Sequence, residues 1–320
     1  MEKKIIILGI AAIVILAIAG CKKSSSSEVT QPIKADTVFT VITPNAFPAY
    51  DGWNSIAFDA SGNKIFFYYA NTTDGFKIDM FDIATGTTST IYKHFSQSGQ
   101  AVWVTSNGSE GMRLRYFSNT YDGNKLIVPG GATNHFIVEI KVNSDYSTSF
   151  EAIDNIPANS NGLSVIDAYD ADLAKGVSGN QISVVSMYNS VYNINTLYPA
   201  YAVSPTSHGS SIIGTPGGME YVFCGTNQTL ELYNNGAFIR AATLLSGGSQ
   251  LQMDSKKRIY AYNGSIIYRF SSDLLKVERF PVKGTVEGYR QEAMVIQEKP
   301  NWVQVYSFRG KDLIGMKLPL

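Results

Sequence analysis

The histidines and cysteines of the chain give few combinations that could bind a metal or catalyse a reaction. His94, His135 and His208 are far apart, and none lies at a short spacing from another metal-binding side chain. A zinc site needs three or four nitrogen, sulfur or oxygen ligands, and the sequence contains neither an HxxxH nor a CxxC pattern. No GxSxG sequence marks a nucleophilic serine. The sequence therefore predicts neither a zinc site nor a serine hydrolase of that type.

Aromatic, amide and basic residues between the predicted strands form the best candidate ligand-binding set. Trp, Tyr and Arg provide a large contact area at low entropic cost, so several of them on one face could stack against a sugar or a peptide. An alternative is that Trp53 and Trp103 pack between neighbouring parts of the fold. We predict a binding surface that contains Trp53, Trp103, His208, Tyr289 and Arg290. Loops of the same type also contain Asn159, Asn161 and Gln250.

The segment from Asn54 to Lys93 predicts the elements that would position these side chains. It contains an apolar strand at 55–59, a strand rich in Ile, Phe and Tyr at 64–70, an alternating strand at 76–80 and a Thr-rich strand at 87–92. Turns rich in Asp, Asn, Thr and Gly separate these strands. Four antiparallel strands in about 40 residues have the size of one β-propeller blade.

The motifs of this segment also resemble those of a known class of propellers. The order of its parts is similar to that in the blades of TolB-like and WD40-like propellers. It consists of a strand, the turn DASGNK, an aromatic strand and then FDIATG. The resemblance implies an all-β propeller whose loops surround a central channel on one face. Weaker copies follow in five further units, which begin at Met112 and near Leu163, Ser210, Ser249 and Glu292. In the third unit the predicted inner strand is LSVIDAYD, at 163–170.

The sixth unit predicts how the two ends of the chain meet. It stops after three strands because the chain ends at Leu320, whereas the strand predicted at 36–43 has no hairpin partner nearby. A ring of blades is most stable when its ends are joined, and the N-terminal strand has the right length to cover the unpaired edge of the last unit. We predict a six-bladed propeller closed in this way. Seven blades are the alternative if 94–111 contains strands such as QAVWVTS, and a pair of β-sandwich domains is a competing fold that the closing strand disfavours.

The N-terminal residues have the features of a secretory signal. Lys3 and Lys4 precede an apolar run at 5–19, and small residues precede Cys21. The sequence IAGC resembles the lipobox of bacterial lipoproteins, which implies removal of residues 1–20 and acylation of Cys21. A transmembrane anchor is the alternative, but the run is shorter than the roughly 20 residues that a spanning helix needs. We predict a signal peptide at 1–20, a lipidated flexible tether at 21–35 and the propeller at 36–320.

Composition and charge restrict the partners of the mature protein. The chain is 44% hydrophobic and has a formal net charge of zero, so it has the material for a large core and no electrostatic footprint for nucleic acid. Cys224, in YVFCG, would be the one cysteine without a lipid, which predicts a small buried residue on a strand and no intrachain disulfide. Lys22 replaces the Asp that retains enteric lipoproteins at the inner membrane, so the resemblance implies the outer membrane.

Two functions fit these observations. The first is a binding or scaffold lipoprotein of the cell envelope, without a cofactor, that recognises a glycan, a peptide or an envelope protein. The alternative is a hydrolase or lyase, similar to lactonases with six-bladed propellers, that holds calcium in the central channel. Asp59, Asp167 and Glu292 lie on or beside predicted inner strands and are its candidate ligands. The turns at 59–63 and 121–124 lack the DxDxDG spacing of calcium loops and are read as hairpin turns.

Overall fold

The computed structural model of the protein describes discontinuous parts of the chain from residue 35 to the C-terminus. These parts are residues 35–47, 55–59, 63–71, 75–94, 115–117, 125–130, 136–155, 172–175, 182–185, 190–193, 199–202, 211–215, 218–224, 227–244, 251–283 and 294–320. Within these ranges, 24 strands form six four-stranded antiparallel sheets, and no helix is present. We number the sheets 1 to 6 in chain order.

The first three sheets each contain four strands that are consecutive in the chain. Sheet 1 contains β2 (Ser55–Asp59), β3 (Lys64–Asn71), β4 (Gly75–Asp82) and β5 (Thr87–His94). Sheet 2 contains β6 (Arg115–Phe117), β7 (Lys125–Gly130), β8 (Phe136–Val142) and β9 (Thr148–Asn155). Sheet 3 contains β10 (Asp172–Lys175), β11 (Ile182–Val185), β12 (Ser190–Asn193) and β13 (Pro199–Ala202).

Two further sheets repeat this order, and the last sheet joins the two ends of the chain. Sheet 4 contains β14 (Ser211–Gly214), β15 (Met219–Cys224), β16 (Thr229–Asn234) and β17 (Ala237–Thr243). Sheet 5 contains β18 (Gln252–Met253), β19 (Ile259–Tyr262), β20 (Ile266–Phe270) and β21 (Val277–Pro281). Sheet 6 contains β22 (Val295–Glu298), β23 (Trp302–Arg309), β24 (Asp312–Pro319) and, as its outer strand, β1 (Thr40–Thr43).

The predicted closure by the N-terminal strand is confirmed. Strand β1 pairs antiparallel with β24, with Thr40 opposite Gly315 and Thr43 opposite Leu313. Before this strand begins, the amide of Asp36 donates to the carbonyl of Lys317 at 2.9 Å. The strand therefore completes a sheet whose other three strands lie more than 250 residues later in the chain.

The turn chemistry of sheet 1 shows why its strands begin and end where the sequence predicted. Asn63 and Gly86 adopt left-handed backbone conformations, with φ of 52° and 69°, in the turns before β3 and β5. Glycine and asparagine adopt this conformation more readily than other residues, so each reverses the chain at little cost. The amide of Gly86 also donates to the carbonyl of Asp82 at 2.8 Å, which closes the second of these turns.

The first described strand of sheet 3 is one that the sequence did not predict. The sequence predicted the inner strand at 163–170, a segment that lies outside the described residues, whereas the first strand of the sheet is Asp172–Lys175. Its residues pair with Ile182–Val185 in a continuous register from Asp172 opposite Val185 to Lys175 opposite Ile182. The short sequence DLAK lacks β-branched and aromatic residues, so pairing with β11 rather than intrinsic propensity determines its place.

The sheets pack side by side through their inner strands and through apolar clusters. Inner strands of sheets 5, 6, 1 and 2 lie in contact in that order, as do those of sheets 3 and 4. A cluster that includes Tyr221, Phe223, Ile259 and Tyr268 joins sheets 4 and 5. Another, which includes Phe67 and Phe308, joins sheets 6 and 1. Sheet 6 therefore lies between sheets 5 and 1, and the closing strand belongs to a sheet with a neighbour on each side.

Antiparallel order gives every sheet two distinct ends. At the turn end lie the turns between the inner and second strands and between the third and outer strands. At the connection end, the chain leaves the outer strand and enters the inner strand of the next sheet. In sheet 6, the N-terminal segment before β1 and the C-terminal residue after β24 take the place of a turn at the turn end.

Candidate functional site

The candidate binding residues lie in segments of the chain that connect one sheet to the next. Trp53, Trp103, His208, Tyr289 and Arg290 are all outside the described residues, as are Asn159, Asn161, Gln250 and the predicted lipid-attachment residue Cys21. The first five belong, in chain order, to the segments β1–β2, β5–β6, β13–β14 and β21–β22. Each of these segments joins an outer strand to the next inner strand and therefore begins and ends at the connection end.

The segment that contains Trp53 is anchored where it leaves sheet 6. The amide of Asn45 donates to Oδ1 of Asp312 at 2.9 Å, and the amide of Phe47 donates to the carbonyl of Lys311 at 3.0 Å. The ring of Phe47 is buried and stacks on Phe67 of sheet 1, with 4.4 Å between the ring centroids. These contacts fix the chain between sheets 6 and 1 six residues before Trp53.

The segment that contains Tyr289 and Arg290 is also fixed at both ends. The amide of Val282 donates to the carbonyl of Ser265 at 2.7 Å, and that of Lys283 donates to the carbonyl of Thr37 at 2.6 Å. Met294 and Val295 are fully buried where the chain enters β22. The described core therefore limits this connection to residues 284–293.

At the turn end, buried carboxylates join neighbouring sheets or close turns. Asp59 is 2% exposed at the end of β2, and its Oδ2 accepts a hydrogen bond of 2.8 Å from the phenol of Tyr146 in sheet 2. Asp254, which follows β18, accepts from the amide and Nε of Arg258 at 2.9 and 2.6 Å. Asp254 also accepts a hydrogen bond of 3.0 Å from the phenol of Tyr260. Two effects raise the pKa of Tyr260: burial, which is the larger, and the negative charge of Asp254.

Polar side chains at the end of β22 connect sheet 6 to both of its neighbours. The carboxylate of Glu298 accepts hydrogen bonds from the amide of Ser255 and, at 2.6 Å, from its hydroxyl in sheet 5. The side-chain amide of Gln297 donates to Oδ1 of Asn63 in sheet 1 and accepts from the phenol of Tyr306 at 2.9 Å. The same end of sheets 5, 6 and 1 is therefore linked by hydrogen bonds.

A buried acidic group in sheet 4 is a feature that sequence reasoning did not find. Glu220 and Glu231 are 1% and 3% exposed, on strands that are otherwise largely apolar. The phenol of Tyr233 donates to Oε2 of Glu231 at 2.5 Å and lies opposite Glu220 in the β15–β16 register. Burial, and then this hydrogen bond, raises the pKa of Tyr233. The sequence indicates this buried group by one glutamate within each of the apolar runs MEYVFC and TLELYN.

Cys224 lies on the same strand face as Glu220. It is fully buried, as predicted for a small residue on a strand. Glu220, Val222 and Cys224 alternate with Tyr221 and Phe223, which pack toward sheet 5. One face of β15 is therefore apolar and contacts sheet 5, whereas the other carries the acidic group.

The described residues contain no ready-made metal centre. Among them, no group of three or more His, Cys, Asp or Glu side chains is placed so that it could hold a metal ion. Of the three carboxylates considered as calcium ligands, Asp167 and Glu292 lie outside the described residues, and Asp59 is bonded to Tyr146. None of the described segments forms an apolar helix of bilayer-spanning length.

Comparison with known proteins identifies the fold. No protein-family model matches the chain, and no protein with a curated description matches its sequence. An auxiliary nutrient binding protein from Bacteroides thetaiotaomicron matches with a TM-score of 0.53 and 12% identity, over 88% of this chain and 76% of that one. A gluconolactonase from Xanthomonas campestris matches with a TM-score of 0.52 and 12% identity, over 91% and 99% of the two chains. The chain is a β-propeller.

A third similar structure extends the range of activities associated with this fold. A catalytically inactive variant of virginiamycin B lyase from Staphylococcus aureus, solved with quinupristin, has a TM-score of 0.53 and 11% identity, over 89% and 100% of the chains. The propeller neighbours therefore include both binding proteins and enzymes. At such low identity the similarity establishes the all-β propeller architecture, and the function has to be argued from the site.

Proposed function

We propose that this protein is a lipid-anchored propeller of the bacterial cell envelope that binds a glycan, a peptide or an envelope protein through its connection end. Acylation of Cys21 would hold it at a membrane, which we infer to be the outer membrane from Lys22. The resemblance of the first blade to TolB-like and WD40-like blades and the fold shared with auxiliary nutrient binding proteins both support a binding role.

The observation that carries this proposal is the common position of the candidate side chains in the strand order. Trp53, Trp103, His208, Tyr289 and Arg290 come from four segments, and every one of these segments joins an outer strand to an inner strand. In antiparallel four-stranded sheets, such segments leave from the same end. Hydrogen bonds between turn ends, such as Tyr146 to Asp59, support a common orientation of neighbouring sheets. Aromatic and basic side chains on one face are suited to stacking on sugars and peptides.

Binding is tested with the full-length lipidated protein purified in detergent. Oligosaccharides from starch, xylan and peptidoglycan, and peptides from envelope proteins, would be titrated into it calorimetrically. We expect binding of one of these classes and at least a tenfold loss of affinity in Trp103→Ala and in Tyr289→Ala. Trp302→Phe is the matched control, since Trp302 begins β23 at the turn end. No binding in any class, or binding that neither alanine variant changes, would contradict the proposal.

The alternative function is a lactonase-like hydrolase or lyase with calcium in the channel. The shared fold with gluconolactonase and virginiamycin B lyase supports it, whereas the described residues contain no group of three or more His, Cys, Asp or Glu side chains that could hold a metal ion. Elemental analysis of the same preparation and melting with and without a chelator separate the two functions. Bound calcium together with a chelator-dependent fall in Tm would favour the enzyme.

A further inference from the structure

Two turns of the described chain touch each other at the turn end of sheets 5 and 6. One joins β18 to β19, and the other joins β22 to β23. The carboxylate of Glu298 accepts hydrogen bonds from the amide of Ser255 and, at 2.6 Å, from its hydroxyl, which places the two turns in direct contact. Lys256 and Lys257 directly follow Ser255, and Lys299 directly follows Glu298. We call these three lysines the lysine patch.

Hydrogen bonds fix the main chain of both turns. In the first turn, the amide of Lys257 donates to the carbonyl of Asp254 at 2.9 Å, and the amide of Arg258 donates to Oδ1 of Asp254 at 2.9 Å. In the second turn, the amide of Lys299 donates to the carbonyl of Trp302 at 2.8 Å. The backbone that carries the lysine patch is therefore held in place before a partner binds, so less conformational entropy is lost on binding.

The two turns carry an excess of positive charge in a chain whose formal net charge is zero. Residues 254–258 and 298–302 contain four basic and two acidic side chains, which gives a local net charge of +2. Nε of Arg258 lies 2.6 Å from Oδ2 of Asp254, whereas no lysine of the patch takes part in an ion pair within the described parts of the chain. Lys299 is partly exposed and the other two lysines are exposed, so their ammonium groups are open to an anionic partner.

Outer turns at the same end do not have this excess of lysine. Those of sheets 1, 2 and 4, at 82–86, 143–146 and 234–236, contain two aspartates and no lysine. The outer turn of sheet 5 contains the exposed acid Asp273 and the exposed base Lys276, whose charges balance. Among the turns at this end that the structure describes in full, positive charge therefore accumulates where sheets 5 and 6 meet.

The side chains of the two turns favour one class of anionic partner. Arg258, which could bind a single carboxylate through two parallel hydrogen bonds, is already paired, so the exposed charges are lysines that act as hydrated point charges. Such charges suit anionic groups that repeat along a polymer. Trp302 is partly buried, and Nζ of Lys317 lies 5.3 Å from its ring centroid, so the turns present no open aromatic platform for nucleic-acid bases. They also contain no exposed large apolar side chain that could enter a bilayer.

Asn301 adds a neutral hydrogen-bonding group beside the lysine patch. It is exposed and lies two residues after Lys299. Its side-chain amide can both donate and accept hydrogen bonds, as sugar hydroxyl groups do. We propose that the lysine patch, together with Asn301, binds an acidic polysaccharide, whose carboxylates lie against the lysines and whose hydroxyls bond to the amide. This site is at the turn end, opposite the connection end of the proposed function, and depends neither on the candidate residues there nor on the lipid anchor.

The test uses the full-length protein in a neutral detergent, with polygalacturonate as the probe and uncharged dextran as its control. Calorimetric titration should detect binding of polygalacturonate at low ionic strength, weaker binding as salt is added, and no binding of dextran. A variant that combines Lys256→Gln, Lys257→Gln and Lys299→Gln should bind polygalacturonate about tenfold more weakly, because exposed ion pairs are individually weak and three of them are lost.

A second triple variant removes the same charge from other parts of the surface. It combines Lys276→Gln, Lys283→Gln and Lys311→Gln, which are exposed lysines outside the two turns. We expect its affinity for polygalacturonate to stay within about twofold of the parent. Thermal unfolding followed by circular dichroism verifies that both triple variants are folded at the temperature of the titration.

Three results would overturn the proposal. The first is the absence of polygalacturonate binding at low ionic strength. The second is an equal loss of affinity in the two triple variants, which would show that overall charge and not the lysine patch is responsible. The third is binding of polyglutamate or of phosphatidylglycerol vesicles at least as tightly as polygalacturonate, which would identify an acidic protein or a lipid surface as the partner instead.

Discussion

The phenol of Tyr146 donates a hydrogen bond of 2.8 Å to Oδ2 of Asp59, and this bond joins a turn of sheet 2 to the inner strand of sheet 1. The ring of Tyr146 also lies 6.3 Å from the ring of Phe66, and Nζ of Lys64 lies 5.3 Å from its centroid. Asp59, which the sequence offered as a calcium ligand, thus takes part in packing between sheets.

Removal of this hydrogen bond should weaken the contact between sheets 1 and 2. Tyr146→Phe keeps the ring against Phe66 but removes a donor to a nearly buried carboxylate, so we expect the free energy of unfolding to fall by about 1–2 kcal/mol. Urea unfolding followed by circular dichroism measures the change. Ser144→Ala, an exposed change in the same turn, is the control and should have little effect. Equal stability of Tyr146→Phe and the parent protein would show that the bond contributes nothing.

Closure of the propeller depends on the absence of a side chain at Gly315. A Cβ at this position would lie 2.3 Å from Cδ1 of Ile42 and 2.6 Å from Nε2 of Gln304. That amide donates to the carbonyls of Val305 and Met316, both at 3.1 Å, so its displacement breaks bonds within sheet 6. We expect Gly315→Ala to lower the free energy of unfolding by about 2 kcal/mol, as overpacking typically does.

Hydrogen exchange provides the measurement for this second prediction. Amides of β1 should exchange faster in Gly315→Ala, because the methyl group pushes the closing strand away from β24. Ile42→Val removes Cδ1, so the double variant should regain part of the lost protection. If the single variant exchanges like the parent, or the double variant is less protected than the single one, Ile42 does not determine the fit of this strand.

Local signals predicted most of the fold, and the strands of sheet 1 show why. Alternating apolar residues and turns with Asn and Gly define β2 to β5 within the sequence itself, so the predicted bounds agree closely with Ser55–Asp59 and its neighbours. The pairing of β1 with β24 was predicted from the number of strands, since the last unit has three strands where the other units have four. This prediction did not depend on a local sequence signal. Strand β10 was not predicted, because its position depends on pairing with β11.

Contacts between sheets set the limit of prediction from sequence. Glu220 and Glu231 were visible as acids within apolar strands, but alternation alone does not show which face of a strand meets a neighbouring sheet. The role of Asp59 was likewise hidden, because its partner Tyr146 lies 87 residues later in another sheet. The binding residues proposed here lie in connections outside the described residues and stay predictions.

Acid should weaken the ion pair between Glu278 and Arg269. Nε of Arg269 donates to Oε2 of Glu278 at 2.6 Å, and this bond holds the pKa of Glu278 below its ordinary value of 4.5. A lowered pKa means that the pair stabilises the fold above pH 4.5 and that this contribution is lost as the pH falls below it.

The variant Glu278→Gln tests that dependence on acid. Its stability should be lower than that of the parent at neutral pH, and the difference should shrink as the pH falls below 4.5. Arg279→Gln removes a neighbouring exposed charge that is not part of this ion pair, so its effect should change less with pH. A gap between Glu278→Gln and the parent that stays constant across this range would refute the role of the pair.

Alkali should act on the fold through the buried phenol of Tyr306. Tyr306 is 4% exposed, and burial raises its pKa from 10 to about 12. Because the folded state favours the neutral phenol, Tyr306 contributes stability that is present below pH 10 and is lost as the pH rises from 10 to about 12. Two pKa units correspond to a contribution of up to about 3 kcal/mol.

The variant Tyr306→Phe removes both this titration and the hydrogen bond of 2.9 Å to Oε1 of Gln297. We expect it to be less stable than the parent at neutral pH, by about 1 kcal/mol for the lost bond, and to approach or exceed the parent near pH 12. Urea unfolding at a series of pH values measures the two curves. Phe308→Leu, a buried change on the same strand without a titrating group, should keep a constant difference from the parent. Parallel curves for Tyr306→Phe and the parent would show that the phenol does not couple folding to alkaline pH.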